Sequence, residues 1–210
     1  MNVKRKLENC KSVINEIADL QQERDNEFTA LDIYNESERA ARIEPINQKF
    51  HDNVMKKAQE FENISAVLPD IFDADISSSE DTSSKLTAAL MYLNTAGADY
   101  KADDLDAVIQ PLKVAKDFAS LKILYDLAFK SNFEECQKSK LWPFCGVMDS
   151  AKEAKRKINV LAAKMVNNIK DMAVGDSATV KGIIQGQSDF IDLIIEDVNR
   201  FEIELNQFFG

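Results

Sequence analysis

The sequence predicts an all-α protein, in which long amphipathic helices from both ends of the chain form a bundle or coiled-coil stalk, with a compact helical body between them. Two observations favour this class. The chain has only six Gly and four Pro among 210 residues, whereas the many turns of a β-sheet protein need more of both. From Ser177 to Phe208, apolar residues recur at alternating steps of three and four, which is the spacing of one side of a helix.

This C-terminal repeat defines a continuous seam with a single polar member, Gln187. Its average spacing of 3.5 residues per turn suits coiled-coil packing. So much apolar surface cannot stay in water, so we interpret the seam as the main structural and partner-binding surface. Gln187 is expected to fix the register or the number of partners, as lone polar seam residues often do. The C-terminal seam comprises Val180, Ile184, Gln187, Ile191, Ile194, Val198, Phe201, Leu205 and Phe208.

Residues 1–69 are predicted to form two long helices, either an antiparallel hairpin or one kinked rod. An apolar stripe begins at Leu7, but the same register then meets Gln21 and Arg24. Pro45 lacks a backbone donor, so we expect a kink or a helix-to-helix turn there. Pro69 is expected to end the second helix. Neither helix carries enough apolar surface to fold alone, so both need the C-terminal helix or another subunit.

Residues 70–84 are predicted to be a solvated linker, because acidic residues and serines dominate them. Asp73 and three further residues stand at the first, third, fifth and ninth positions of a calcium-binding loop. Ser78 replaces the glycine that such a loop needs at its sixth position, and Ser84 replaces the bidentate glutamate at its twelfth. We therefore expect an acidic loop without a metal.

The compact body is assigned to residues 85–148, with a short helix at 86–93 and a central helix at 112–129 that is apolar on all sides. The apolar cluster at 141–145 falls in a predicted loop, where it is either a plug over the core or a recognition site. Ser150 is expected to cap the next helix. Residues 149–210 then form a helical hairpin, broken at Gly175, that packs with residues 1–69.

The net charge of the chain and its distribution limit the kinds of partner that the protein can bind. The net charge is −10, which argues against nonspecific binding to nucleic acid or to an anionic membrane and favours a basic protein partner. Residues 130–164 carry eight basic and four acidic residues, whereas residues 70–110 carry nine acidic and two basic ones. Unlike charges on one chain permit head-to-tail contacts between copies. The predicted electrostatic contact comprises Lys152, Lys155, Arg156 and Lys157.

No catalytic, cofactor-binding or metal-binding residues are predicted. His51 is the only histidine, and we interpret it as a helix-surface residue. The three cysteines, Cys10, Cys136 and Cys145, form no CxxC pair and indicate a reducing compartment. Apolar runs are too short for a membrane span, and charges interrupt the apolar core that a signal peptide would need at the N-terminus. We therefore expect a cytoplasmic or virion protein that is not secreted by a signal peptide.

These observations predict a noncatalytic structural or assembly protein that acts through protein–protein contacts, as a homo-oligomer or in a larger assembly. The overall pattern resembles that of small helical structural proteins of bacteriophages and prophages, which implies a virion or morphogenesis component. The alternative is an acidic adaptor or inhibitor that binds a basic surface of another protein. An enzyme built around scattered Glu and Asp residues is the third hypothesis.

Overall fold

The computed structural model describes residues 1–77, 91, 102–130 and 138–210. Within these residues the chain contains helices and no strand, so the predicted all-α class is confirmed. Long N-terminal and C-terminal helices pack together, as predicted. The helices are α1 (Asn2–Ala30), α2 (Glu36–Ser65), α3 (Leu68–Ser77), α4 (Ala102–Val114), α5 (Phe118–Lys130), α6 (Trp142–Met172) and α7 (Ser177–Phe209), with short 3-10 turns at Leu31–Ile33 and Ser139–Leu141.

Two compact units divide the chain, and the first comprises Met1–Ile71 and Lys155–Glu196. Its first two helices form an antiparallel hairpin, because Glu27 of α1 meets Lys49 of α2 at 2.6 Å while Glu16 meets Lys57 further along. α7 also runs antiparallel to α1. Its Lys181 lies 2.6 Å from Asp25, and its Asp192 lies 2.6 Å from Lys11. The N-terminal helices therefore fold back on each other and onto α7.

The core of the first unit consists of the apolar stripes of these helices. Their central members have no exposed surface, and burial of each large side chain contributes about 1.5–3 kcal/mol. The fully buried residues include Leu7, Ile14, Ile17, Phe61, Leu161, Ile169, Ile191 and Ile194.

The turn between α1 and α2 falls at residues 31–35. Of the two predicted alternatives at Pro45, a kink or a helix-to-helix turn, the turn is therefore wrong. The Asn35 side chain caps α2 by accepting a hydrogen bond of 3.0 Å from the Glu38 N–H, which is a strong helix-starting signal. Pro45 lies inside α2 on its exposed side. There the carbonyl that loses its partner can bind water, so the helix continues.

The second helix ends at Ser65, before the predicted end at Pro69. After a turn at residues 66–67, Pro69 occupies the first turn of α3, where its missing N–H costs no helical hydrogen bond. Residues 70–77 of the predicted linker are therefore helical rather than irregular, because Leu68 and Phe72 are fully buried. The rest of that linker, with the glycine-replacing Ser78, lies outside the described residues, as does the predicted helix at 86–93 apart from Met91, which is helical.

The second unit comprises Phe72–Ala154 and Asp197–Gly210, and aromatic rings fill its core. Phe118 lies 5.5 Å from Phe144 and 5.6 Å from Phe201, measured between ring centroids. Phe72 lies 5.9 Å from Phe201, and Phe208 lies 5.0 Å from Phe144. Tilted and edge-on pairs at these distances add about 0.5–1.5 kcal/mol each to the burial of their area.

A sharp turn separates α4 from α5, so the single helix predicted at 112–129 is wrong. The Asp117 N–H donates to the Leu112 carbonyl and the Lys116 N–H donates to the Lys113 carbonyl, which is the hydrogen-bond pattern of a Schellman motif. Lys116 adopts a left-handed φ of 54°. Asp117 then caps α5 by accepting from the Ser120 N–H at 3.0 Å. An Asp at this position starts a new helix, which the apolar pattern alone did not reveal.

Helix α6 begins at Trp142, so the predicted loop at 141–145 and the predicted cap at Ser150 are wrong. Leu141, Phe144, Met148 and Ala151 are buried, and their spacing of three and four continues the stripe of α6 toward its N-terminus. Ser150 instead lies within α6, where its hydroxyl donates to Glu204 of α7. The neighbouring residues 131–137, which include Cys136, lie outside the described residues.

Candidate functional site

The C-terminal seam faces the interior of the chain. Its fully buried members are Val180, Ile191, Ile194, Val198 and Phe201, while Gln187 is 8% exposed and Phe208 is 9% exposed. Ile184 and Leu205 are half-buried. The register read from the sequence therefore matches the buried side of α7. Contact of this seam with another chain stays a prediction.

The predicted electrostatic contact lies on α6. Lys152 is exposed, with its Nζ 5.5 Å from the centre of the Tyr125 ring and 3.9 Å from an Asp149 carboxylate oxygen. Arg156 is exposed, and Lys155 and Lys157 are half-buried. Their role in joining chains also stays a prediction.

His51 and the described cysteines form no catalytic arrangement with one another. The His51 side chain is 41% exposed and its Nδ1 lies 3.2 Å from Asp52 of the same helix. Cys10 is buried on α1, and burial raises the pKa of its thiol to about 12. Within the described residues, no three His, Cys, Asp or Glu side chains are grouped to hold a metal ion. The described helices include none that is long and apolar enough to cross a membrane.

A cavity of about 660 Å³ in the first unit has both polar and apolar lining residues. We call it the hairpin-end cavity, because the turn after α1 and the turn before α7 both line it. Phe28, Leu31 and Ile43 give the cavity an apolar wall, and residues 173–177 also line it. Arg24 lies at its buried side. The cavity thus combines an apolar surface with a fixed positive charge.

Arg24 is buried, with only 5% of its surface exposed. Its guanidinium carbon lies 4.0 Å from the centre of the Phe50 ring, a cation–π contact. Its Nη1 donates to the Gly175 carbonyl at 3.1 Å, whereas its Nε has no hydrogen-bond partner. Burial lowers the pKa of Arg24 from its ordinary value, partly offset by Asp25 and Asp176. The group remains charged at neutral pH, as arginine does in proteins.

A network of polar side chains beside Arg24 fastens α1 to the start of α7. The Gln21 amide donates to Asp25 at 2.7 Å and to the Ser177 hydroxyl at 3.2 Å. The Ser177 hydroxyl in turn donates to Asp25 at 3.0 Å, and Lys181 lies 2.6 Å from the same carboxylate. Burial alone would raise the pKa of Asp25, but the hydrogen bonds from Lys181 and Ser177 together lower it below its ordinary value.

This polar network is the feature that the sequence interpretation missed. Its signal was present, because Gln21 and Arg24 occupy the register in which Leu7 and Ile17 form the apolar stripe of α1. The interpretation treated these two residues as a weakening of the stripe. In the structure both residues are buried, and their hydrogen bonds to Ser177 and Gly175 offset part of the cost of desolvation.

Comparison with known proteins adds no identification, since no protein-family model, curated protein or solved structure matches this chain.

Proposed function

We propose that this chain is a noncatalytic structural or assembly protein that acts through protein–protein contacts, as a homo-oligomer or as part of a larger assembly. The setting we propose is a bacteriophage or prophage virion or its morphogenesis, with the protein in the cytoplasm or the virion. One observation carries the proposal: Trp142, the only tryptophan of the chain, is 54% exposed at the start of α6.

The surroundings of Trp142 hold its side chain at the surface. Leu141 on one side is fully buried, and Phe144 two residues later is also fully buried. Because these anchors fix the first turn of α6, the indole cannot turn inward without unpacking the aromatic core. Tryptophan is enriched among the residues that dominate protein interfaces, where it buries a large area with little loss of conformational freedom.

Two further apolar side chains of the second unit are exposed. Val114, at the end of α4, is 82% exposed, and Ile203, on α7, is 56% exposed. Apolar residues scattered singly are normal on protein surfaces. A tryptophan held outward by two buried anchors is less common, so Trp142 rather than the aliphatic residues carries the argument.

The experiment is light scattering after size-exclusion chromatography, combined with tryptophan fluorescence, from low to high micromolar protein. Since Trp142 is the only tryptophan, the emission maximum reports on this position alone. We expect the mass to rise with concentration and the emission maximum to shift to shorter wavelength in parallel, as the indole leaves water. A monomer with unchanged emission at every concentration would refute self-assembly through Trp142.

Two variants distinguish a contact at Trp142 from nonspecific association through exposed apolar side chains. Trp142→Gln should remove the concentration dependence of the mass. Leu193→Gln removes another exposed apolar side chain, which is 47% exposed on α7, and should leave assembly unchanged. Equal assembly of Trp142→Gln and the parent would overturn the proposal.

An acidic adaptor or inhibitor is the alternative, favoured by the net charge of −10. A basic partner would be attracted over long range, and such attraction weakens with salt. On this hypothesis the chain alone stays monomeric, and it binds a basic test protein such as lysozyme in a saturable manner that depends on salt. A stable homo-oligomer that does not bind basic proteins would exclude the adaptor or inhibitor hypothesis.

A further inference from the structure

We propose that the hairpin-end cavity binds a singly charged organic anion with an apolar body, such as a monocarboxylate of medium chain length, and that Arg24 holds its charged group. This inference is independent of the proposed assembly function. The cavity volume of about 660 Å³ lies within the range of roughly 300–1,000 Å³ typical of small-molecule sites.

No carboxylate of the first unit forms an ion pair with the Arg24 guanidinium at contact distance, although Asp25 and Asp176 act on its charge from farther away. A guanidinium has five N–H donors, but Arg24 makes a single hydrogen bond, to the neutral Gly175 carbonyl, and its Nε has no partner. A buried charge without a counter-charge is costly. A carboxylate would offset that cost, because it can accept two parallel hydrogen bonds from one guanidinium.

The nearest carboxylates are occupied elsewhere. Asp25 accepts from Lys181 and Ser177, as described above. Asp176 caps α7 by accepting from the Thr179 N–H at 2.7 Å. Neither forms an ion pair with Arg24 among the described residues, so the guanidinium is available to an anion that enters the cavity.

Other lining residues define the class of anion. Glu44 and Asp176 line the cavity together with Arg39, whose guanidinium lies 3.1 Å from an Asp32 carboxylate oxygen. Because Arg39 has its own carboxylate partner, the two lining carboxylates would repel a second negative charge on the ligand. A phosphate dianion or a nucleotide is therefore disfavoured, whereas a monoanion is not. The apolar wall of Phe28, Leu31 and Ile43 requires an apolar body on the same molecule.

The first test uses 1-anilinonaphthalene-8-sulfonate, a fluorescent organic monoanion with an aromatic body, as the probe. We expect saturable binding of one probe per chain. Decanoate should displace the probe at concentrations at least about tenfold lower than decan-1-ol, its neutral counterpart, and inorganic phosphate should not displace it. A tenfold preference corresponds to one good charge-assisted contact. Absence of saturable binding, equal displacement by decanol, or displacement by phosphate would each overturn the proposal.

Three variants test whether the probe binds in this cavity. Ile43 is half-buried on α2, so Ile43→Asp and Ile43→Asn place side chains of nearly equal size and polarity in the apolar wall. Only Asp adds a negative charge, and it should weaken the probe about tenfold or more relative to Asn. Met55→Asp adds the same charge on α2 at a residue that does not line this cavity, and it should leave affinity unchanged.

Equal affinity of the two Ile43 variants would overturn the proposal, as would an equal loss in Met55→Asp. Arg24→Gln should weaken the anionic probe about tenfold or more and remove the preference of the cavity for decanoate over decanol. Should Arg24→Gln fail to fold, the Ile43 pair decides the question, because both of its members keep Arg24 and the polar network. A folded Arg24→Gln variant that still prefers decanoate over decanol would refute the role of the guanidinium.

Discussion

Ile194→Ala and Leu193→Ala form a matched pair that tests the register of α7. Ile194 is completely buried, whereas the adjacent Leu193 is 47% exposed. Ile→Ala removes three carbon atoms, which at about 0.8 kcal/mol each gives a transfer loss of about 2.4 kcal/mol. The cavity left in a packed core adds to this, so we expect a total loss of about 2–5 kcal/mol. At Leu193 about half of the transfer loss applies and no enclosed cavity forms, so we expect about 1 kcal/mol.

The assay is urea unfolding followed by far-UV circular dichroism. With a slope of about 2–3 kcal/mol per molar urea, Ile194→Ala should lower the midpoint by about 1 M or more. Leu193→Ala should lower it by less than half of that amount. Leu has a higher helix propensity than Ile, so the change to Ala gains slightly more at Ile194, which acts against the expected difference rather than producing it. A larger loss for Leu193→Ala would show that the seam has been assigned to the wrong side of α7.

Three further outcomes are expected. Lys116→Gly should stabilise the chain by about 0.5–1 kcal/mol in thermal unfolding, since the left-handed conformation disfavours a β-carbon; Lys116→Ala, which keeps that carbon, should not. Iodoacetamide at about pH 8 should label Cys145 before Cys10, because burial raises the pKa of the Cys10 thiol to about 12. Peptide mass spectrometry measures the order of labelling, and earlier labelling of Cys10 would contradict its burial. Hydrogen bonds such as that from Lys181 lower the pKa of Asp25 below 3.8, so its contribution to stability is present above that pH and lost below it. Asp25→Asn should therefore be less stable near neutral pH and show a shallower loss between about pH 4 and pH 2; an unchanged acid profile would exclude this role.

The buried side of α7 could be predicted from the sequence because its apolar spacing is nearly unbroken. From Val180 to Phe208 only Gln187 departs from the pattern, and hydrophobic periodicity is the strongest local signal of a buried helical face. The pairing of the terminal helices followed from the same signal, since two apolar stripes of this length need each other in water.

The sequence predicted the ends of the helices less well than their buried faces, because helix boundaries depend on competing local signals. Pro45 suggested a turn, but a proline on the exposed face of a helix costs less than one on a buried face. Asn35 was the stronger signal, because its side chain caps the first turn of α2. Lys116 takes a left-handed conformation that usually indicates Gly or Asn, so the turn before α5 carried no recognisable residue type. The start of α6 was missed because Pro143, inside the first turn of a helix, resembles a loop residue.

The hairpin-end cavity could not be predicted from the sequence. Its lining comes from α1, α2 and the turn before α7, and that turn follows α2 by more than a hundred residues of chain. Only the tertiary pairing of the helices brings Arg24 beside Gly175, whose positions differ by 151. What the sequence did offer was the pair of polar residues, Gln21 and Arg24, in an otherwise apolar register.

The division of the first unit between Met1–Ile71 and Lys155–Glu196 has a consequence for biosynthesis. Lys11 and its partner Asp192 are 181 positions apart, so α1 cannot complete its packing until the ribosome has made most of α7. At roughly 5–20 residues per second, the segment between Ile71 and Glu196 takes roughly 6–25 s to synthesise. Through that interval the α1–α2 hairpin lacks the helices that cover its apolar side. The first part of the chain to be synthesised is thus among the last to reach its final packing.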